Sequence, residues 1–291
     1  MEKIKIITDT ACDIDYQKAL ELDVDMLPII VNIDGEDKRE QFDIKKQDFL
    51  KYLQNLSSSM PTTTQITHIR WLEAFEKAFE NGYNKIICIP ICSSGSGTYQ
   101  SAFIAKEMFD KKHNNQCEIV LIDAKTYSIG YGRLVMDCVK MRDEKVAFSE
   151  ICRIISERAK QVEILFIPYT LDFARKSGRI SCAAALLGGV LGLKPIIYMV
   201  DGVSTIISKF RGQNQIVPKL VELVKENAVN IESQVIDIAY GDIGDDHKIL
   251  EKALKEEFGG NLEIRFSMFG SSISLNAGPV TIGISYYGKQ R

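Results

Sequence analysis

Between residues 4 and 141, short runs rich in isoleucine and valine alternate with longer segments whose apolar residues recur every three or four positions. Residues 4–7 predict a strand that ends at Thr8-Asp9-Thr10, with a helix following near Asp15. Residues 25–33 read as a second extended segment, closed by the turn signal Asp34-Gly35. Residues 43–56 have helical spacing, with Ile44, Phe49, Leu50 and Leu53 apolar. Residues 64–79 predict a stronger helix, with Ile66, Ile69, Trp71, Leu72, Phe75, Ala78 and Phe79 on one face. A buried strand at 85–91, a loop at 93–97 and a helix at 98–111 come next, then a strand at 118–122 and a helix from about 130 to 141. Strands separated by helices pair in parallel, because only a crossover of that length returns the chain to the same sheet edge. The first half is therefore expected to be α/β, with a doubly wound parallel sheet.

After Val162 the pattern changes. Residues 164–168 predict a strand, 171–177 a short helix closed by Gly178, and 181–191 a helix of small residues. Residues 195–200 and 203–210 flank Asp201-Gly202, the strongest short hairpin signal in the chain. Helices at about 214–226 and 245–258 bracket strands at 235–240 and 262–269. A hairpin among helices is an α+β pattern. With 291 residues, long for one core, the chain is expected to divide into an α/β domain over 1–160 and an α+β domain over 161–291. No Pro/Gly/Ser-rich linker marks the boundary, and no internal repeat is evident.

Charge and hydropathy narrow the function. Lys plus Arg number 36 against 39 Asp plus Glu, a formal net charge of −3, which is no footprint for nucleic acid or for a polybasic membrane surface. The longest apolar stretch, 183–193, is too short to cross a bilayer and carries three glycines. Met1-Glu2-Lys3-Ile4-Lys5 runs straight into a strand and is unlike a signal peptide, so a cytoplasmic location is expected. Cys12, Cys88, Cys92, Cys117, Cys138, Cys152 and Cys182 contain no CxxC pair and read as buried reduced thiols, Cys88 and Cys92 as strand positions. His68, His113 and His247 lie far apart, so no metal site is expected.

Three segments rich in hydroxyls sit where strands end: Pro61-Thr62-Thr63-Thr64-Gln65, Ser93-Ser94-Gly95-Ser96-Gly97-Thr98, and Gly270-Ser271-Ser272 with Asn276-Ala277-Gly278-Pro279 beyond it. In a parallel α/β sheet ligands bind at the carboxyl ends of strands, where helix N-termini offer open N–H groups and partial positive charge. Glycines allow close approach and hydroxyls add directed donors, a combination suited to a phosphate or a carboxylate. Thr64, Ser96 and Thr98 read equally as helix caps. A P-loop is absent because no lysine follows Gly97, and a dinucleotide fingerprint fails at Gln100, where its third glycine belongs. No GxSxG elbow exists. Asp9, Asp13 and Asp15 could hold magnesium, but Asp13 and Asp15 read as well as helix caps.

The order of Ile7-Thr-Asp-Thr10, Pro61-Thr-Thr-Thr-Gln65, Ser96-Gly-Thr-Tyr-Gln-Ser-Ala102 and Ile122-Asp-Ala-Lys-Thr-Tyr-Ser128 resembles the DegV family. In the second half the likeness continues through 171–176, Ser177-Gly-Arg-Ile180, Lys194-Pro195, Asp201-Gly202 and Gly278-Pro279. The resemblance implies a two-domain fold, an α/β domain with a parallel sheet and a second domain with a mixed sheet. It also implies a long-chain fatty acid, such as a C16–C18 acid, in a buried tunnel. Its carboxylate would be held by Thr62 or Thr63 and by Ser93 or Ser94, with Gly97, Thr98 and Asn276 completing the site. No cofactor is implied. The partner would be a separate fatty acid kinase that forms the acyl phosphate, so that the chain is a carrier and not an enzyme, and a lipid cargo implies transient membrane contact. Alternatives are a phosphotransferase component using Asp9 and Asp13, and a carrier of a different lipid.

Two departures stand out. Asn276 occupies a position where many relatives have histidine, and an amide can donate a hydrogen bond but supplies no charge. Phe210-Arg-Gly-Gln-Asn-Gln215 keeps Arg211 but lacks the basic cluster usual there; Arg175, Lys176 and Arg179 remain as a candidate docking patch, or as the solvated end of a helix. The stretch 183–192 is expected either to wall the tunnel or to pack tightly between helices.

Overall fold

The computed structural model describes residues 2–57, 59–178 and 193–289. Strand β1 (Ile4–Asp9) is buried along its whole length and lies between β2 (Val24–Leu27) and β6 (Lys85–Ile89); β7 (Glu118–Leu121) completes a four-stranded sheet in the order β2-β1-β6-β7. Every pairing in it is parallel, as the strand–helix alternation requires. The connecting helices are α1 (Tyr16–Glu21), α3 (His68–Glu80), α4 (Thr98–His113) and α5 (Ile129–Asp143), and α6 (Phe148–Arg158) follows. Trp71 and Phe75 of α3 are fully buried, whereas Ile69 is 56% exposed and leaves the face on which its spacing put it.

Helix α3 begins four residues later than its apolar spacing predicts. Thr62–Thr64 forms a short strand, β5, paired antiparallel to β3 (Ile30–Ile33). On the other side of β3 lies β4 (Glu36–Arg39), joined to it through Asp34 and Gly35, both at positive φ. Threonine is β-branched, and an available strand edge outweighs its weak helical preference. This small sheet, which also divides the extended segment predicted over 25–33, is invisible to a one-segment reading; α2 (Lys46–Gln54) connects β4 to β5. Cys88 is a strand position in β6, but Cys92 lies beyond its end.

The second half builds a six-stranded mixed sheet in the order β10-β9-β8-β13-β11-β12. Its strands are β8 (Val162–Pro168), β9 (Leu193–Val200), β10 (Val203–Arg211), β11 (Ile236–Tyr240), β12 (Ile264–Met268) and β13 (Thr281–Tyr287). β9 and β10 form the expected hairpin, with Asp201 at φ 47° and Gly202 at φ 77°, the left-handed pair that a two-residue turn demands. Helices α7 (Asp172–Ser177), α8 (Ile216–Asn227) and α9 (Asp246–Phe258) match the predicted ones within a few residues, and Gly178 at φ 67° ends α7. In this half two elements escape the sequence reading, α10 (Ser271–Ala277) and β13, as β4 and α6 do in the first. The helix predicted over 181–191, the candidate tunnel wall over 183–192, Cys182 and Arg179 lie outside the described residues.

Helix α5 joins the two sheets. Ile129, Leu134, Val135 and Cys138 are buried in a core that continues from β1 to Ile164 and Phe166 of β8. The same helix buries Arg133, 3.7 Å from the Asp237 carboxylate, whose other oxygen accepts from Arg265 Nε at 2.6 Å. Burial pushes the Asp237 carboxyl up, and the two guanidinium groups oppose that shift.

Candidate functional site

Where β6 ends, the chain turns through Pro90 to Gly97 and enters α4. The small sheet brings Thr63 and Thr64 alongside that turn, and α10 approaches from the second half of the chain. Together they enclose a cavity of about 320 Å³. Its polar lining includes Thr63, Gln65, Gly97 and Asn276, and its apolar lining includes Ile29, Ile91, Phe166, Met199, Ile273 and Ala277. A cavity of this size with a few polar groups suits one amphipathic small molecule.

Helix α4 presents its N-terminus here. Thr98 N–H is bonded to Ser96 Oγ at 3.2 Å, and the other first-turn N–H groups of a helix have no partner within it. Gly97 lets Gln65 lie close against the turn: a Cβ there would come 1.9 Å from Gln65 Oε1 and push that side chain aside.

The residues expected to hold a head group fall into three sets. Thr63, Gly97 and Asn276 line the cavity. Thr62 and Ser93 are exposed outside the lining, and the Ser93 hydroxyl donates to Asp123 Oδ2 at 2.5 Å. Ser94 and Thr98 are engaged elsewhere. Ser94 Oγ donates to the Gly202 carbonyl at 3.1 Å, and Thr98, fully buried, accepts from Ile66 N–H at 3.3 Å. Asn276 Nδ2 donates to the Ser272 carbonyl at 2.6 Å within α10, which leaves its second N–H. Arg175 and Lys176 are exposed in the last turn of α7, and Arg211 is exposed at the end of β10.

The contacts of Ser94 show how the hairpin closes on the site. Tyr127, which lines the cavity, donates to the same Gly202 carbonyl at 3.0 Å. Burial pushes its hydroxyl pKa up to about 12, so it stays a donor at neutral pH. A side chain at Gly202 would put Cβ 2.0 Å from Ser94 Oγ. Tyr127→Phe is expected to destabilise the protein by about 1 kcal/mol, read by urea denaturation, because water can replace only part of the lost bond. An unchanged midpoint would show that the hairpin is held by its apolar contacts alone.

Of the acids read as candidate metal ligands, Asp15 caps α1, accepting from Gln17 N–H at 2.9 Å. Asp9 and Asp13 are fully buried. Asp9 accepts from Ile91 N–H at 2.7 Å and from the Tyr131 hydroxyl at 2.6 Å. Asp13 accepts from Gly270 N–H at 2.6 Å and from the Ser128 hydroxyl. Glu40, at the end of the small sheet's hairpin, joins them: it accepts from the Thr10 hydroxyl at 2.6 Å and from Ser272 N–H at 2.8 Å. Burial pushes Asp9 to about 6 and Asp13 to about 7, and it raises Glu40 as well.

The chain matches, over residues 3–289, the family model described as an uncharacterised protein of the DegV family. The chain belongs to the DegV family. A DegV domain-containing protein of Caldanaerobacter subterraneus subsp. tengcongensis is 32% identical over 286 residues, covering 98% of this chain and 99% of the relative. Among solved structures, a stearic acid-binding protein from Eubacterium ventriosum superimposes with a TM-score of 0.88 at 23% identity, over 99% of each chain. A DegV family protein from Ruminococcus gnavus, described with vaccenic acid, gives 0.85 at 18% identity, over 97% of this chain and 99% of the other. At these identities the likeness establishes the DegV fold, the parallel sheet beside the mixed sheet.

Within this DegV fold the sequence reading did not single out Tyr127, Glu40 or, on α10, Ile273, whereas Ser272 and Ala277 stood in its third hydroxyl-rich segment. Tyr127 stands in a quoted motif and could have been singled out as the aromatic of that loop. Glu40 ends the charged run Glu36-Asp-Lys-Arg-Glu40, where nothing distinguishes a buried acid from exposed ones. Among the described residues no group of three or more His, Cys, Asp or Glu is placed to hold a metal ion, and no helix is long and apolar enough to cross a membrane.

Proposed function

We propose that the cavity holds a long-chain fatty acid and that the chain is a carrier which presents the acid's carboxylate to a separate fatty acid kinase. The observation that carries this reading is the composition of the cavity wall. Thr63, Gly97 and Asn276 offer donors, and Ile29, Ile91, Phe166, Met199, Ile273 and Ala277 offer apolar surface. The fatty acids named for the Eubacterium ventriosum and Ruminococcus gnavus proteins support it, since both share this fold.

The energetics divide the labour. Burying ten methylenes contributes about 8 kcal/mol before the cost of immobilising the ligand. A hydrogen bond to a carboxylate contributes about 1.5–3 kcal/mol. The tail therefore sets affinity and the head-group donors set orientation. In this reading the head group lies against Thr63, Gly97 and the free N–H of Asn276, with Thr62 and Ser93 at the rim. Residues 1–160 supply the hydroxyl-rich head-group loops, and residues 161–291 supply the acyl tunnel together with Ile29 and Ile91, and Asn276 at the head group. The exposed cations Arg175, Lys176 and Arg211 are the docking candidates for the kinase, and delivery involves transient contact with a membrane.

Mass spectrometry of an organic extract, from protein purified without added lipid, tests the cargo. One fatty acid per chain in a narrow length distribution is the expected result. Protein that is empty and takes up no labelled fatty acid would overturn the reading. The head-group assignment has its own test. Thr63→Ala is expected to weaken fatty-acid affinity about tenfold. Ser93→Ala is expected to weaken it less than about threefold, because the Ser93 proton is already given to Asp123. A titration in which Thr63→Ala binds as tightly as the parent would remove Thr63 from the site.

A further inference from the structure

We propose that the buried carboxylates Asp9, Asp13 and Glu40 are positioning residues for the cavity, and that their negative charge keeps its walls in the binding geometry. The inference rests on the fatty-acid reading of the cavity.

Backbone hydrogen bonds carry the argument. Asp9 holds the amide of Ile91, and Glu40 holds the amide of Ser272. Glu40 also takes the Thr10 proton, and Thr10 Oγ1 in turn accepts from the amide of Ile29 at 3.0 Å. Ile29, Ile91 and Ser272 all line the cavity, and they come from three separate parts of the chain. Asp13 holds the amide of Gly270, one residue before α10. Gly270 is confined to glycine, because a Cβ there would lie 2.5 Å from Glu40 Oε1 and 2.9 Å from Asp13 Oδ1. A layer of acid thus ties three walls of the cavity together from behind.

The backbone partners can only donate, and the Tyr131, Ser128 and Ser272 hydroxyls donate in this arrangement. An amide N–H cannot accept, and the Thr10 oxygen already receives Ile29 N–H while its own proton points to Glu40. A protonated carboxyl keeps one accepting oxygen and makes the other an O–H. The Tyr131, Ser128 or Ser272 hydroxyl can receive that O–H only by turning its own proton away, so the arrangement as it stands fits the anion. The groups facing this layer are Lys46 of α2, whose ammonium donates to the Asp13 carbonyl at 2.7 Å, together with Tyr131 of α5, Cys12, and the three acids themselves. One lysine against three acids leaves the layer short of positive charge.

Stability and binding should therefore respond to pH with opposite signs. Burial raises all three pKa values, so the folded chain takes up protons more readily than the unfolded one. As pH falls through about 7 at Asp13 and about 6 at Asp9, these groups add to stability, because the cost of a buried charge is relieved. The same protonation exchanges charged acceptors for weaker neutral ones at Ile91, Gly270 and Ser272 and loosens the walls.

Stearic acid affinity and thermal midpoint, measured for the parent, Asp9→Asn and Asp13→Asn at about pH 8 and about pH 5, test this. The lipid's own titration is common to all three proteins and cancels in the ratio of dissociation constants. The expected ratio of variant to parent is about tenfold at the higher pH and close to one at the lower, with midpoints no lower than the parent's. A ratio that does not change with pH, or an affinity loss that tracks a fall in midpoint, overturns the inference and leaves the carrier reading standing. Parent protein that binds no stearic acid at either pH overturns both. If neither variant folds, the amide proton shifts of Ile91, Gly270 and Ser272 in the parent supply the readout. The Ile91 shift should follow Asp9 near about 6 and the Gly270 shift Asp13 near about 7, and flat shifts would overturn the inference.

Discussion

Ala277→Phe should lower the affinity for stearic acid by about a hundredfold while the protein stays folded. Ala277 is on the last turn of α10, is 5% exposed and lines the cavity. A phenyl ring there would take the space of about four methylenes of the guest, worth about 3 kcal/mol at about 0.8 kcal/mol each. Enlarging a side chain is costly in a close-packed core, but here the added atoms enter a cavity of about 320 Å³. Titration with the acid, alongside circular dichroism and a thermal melt, separates the two effects. A folded variant that binds as tightly as the parent would place the acyl chain elsewhere in the molecule. A shift of preference toward shorter acids would locate Ala277 along the path of the tail.

Gly132→Ala is expected to lower the stability of the protein by about 3 kcal/mol. Gly132 is buried in α5, and a Cβ on it would lie 2.4 Å from the backbone carbonyl oxygen of Cys12. Carbonyl and helix are both backbone, so no rotamer relieves the clash, and either α5 or the turn after β1 must move. That turn carries Asp9 and Asp13, and α5 carries Tyr131, which bonds Asp9. Gly260→Ala is the control: nothing lies within 4 Å of its Cβ, and the expected change is within about 0.5 kcal/mol. Urea unfolding reads both, through the midpoint at constant slope. Equal midpoints for the two variants would mean that α5 is not held as tightly against the turn as the close approach implies.

The hydroxyl loops are more divided in role than their composition suggests. Ser94 and Thr98 have the residue type and position expected of head-group ligands, yet Ser94 is bonded to the hairpin turn and Thr98 to Ile66. The single Ser94 proton is committed to the Gly202 carbonyl, and Thr98, whose oxygen accepts from Ile66 N–H, is fully buried and off the cavity lining. Thr63 and Gly97 differ by facing the cavity.

The amino-acid sequence by itself determined what depends on neighbours along the chain. The parallel sheet follows from strands spaced by helices, the β9–β10 hairpin from Asp201-Gly202, and the end of α7 from Gly178. The family, too, was legible, because its motifs occur in a fixed order. The tertiary structure decided everything that depends on partners far apart in sequence. Thr62–Thr64 is a strand because β3 offers an edge, and the face of α3 that is buried is the one carrying Trp71 and Phe75, with Ile69 left exposed. Glu40 is buried because Thr10 and Ser272, 30 positions before it and 232 after it, both direct donors at it. A local pattern records propensity and periodicity; burial of a charge is set by which distant donors converge on it, and no window of sequence contains them.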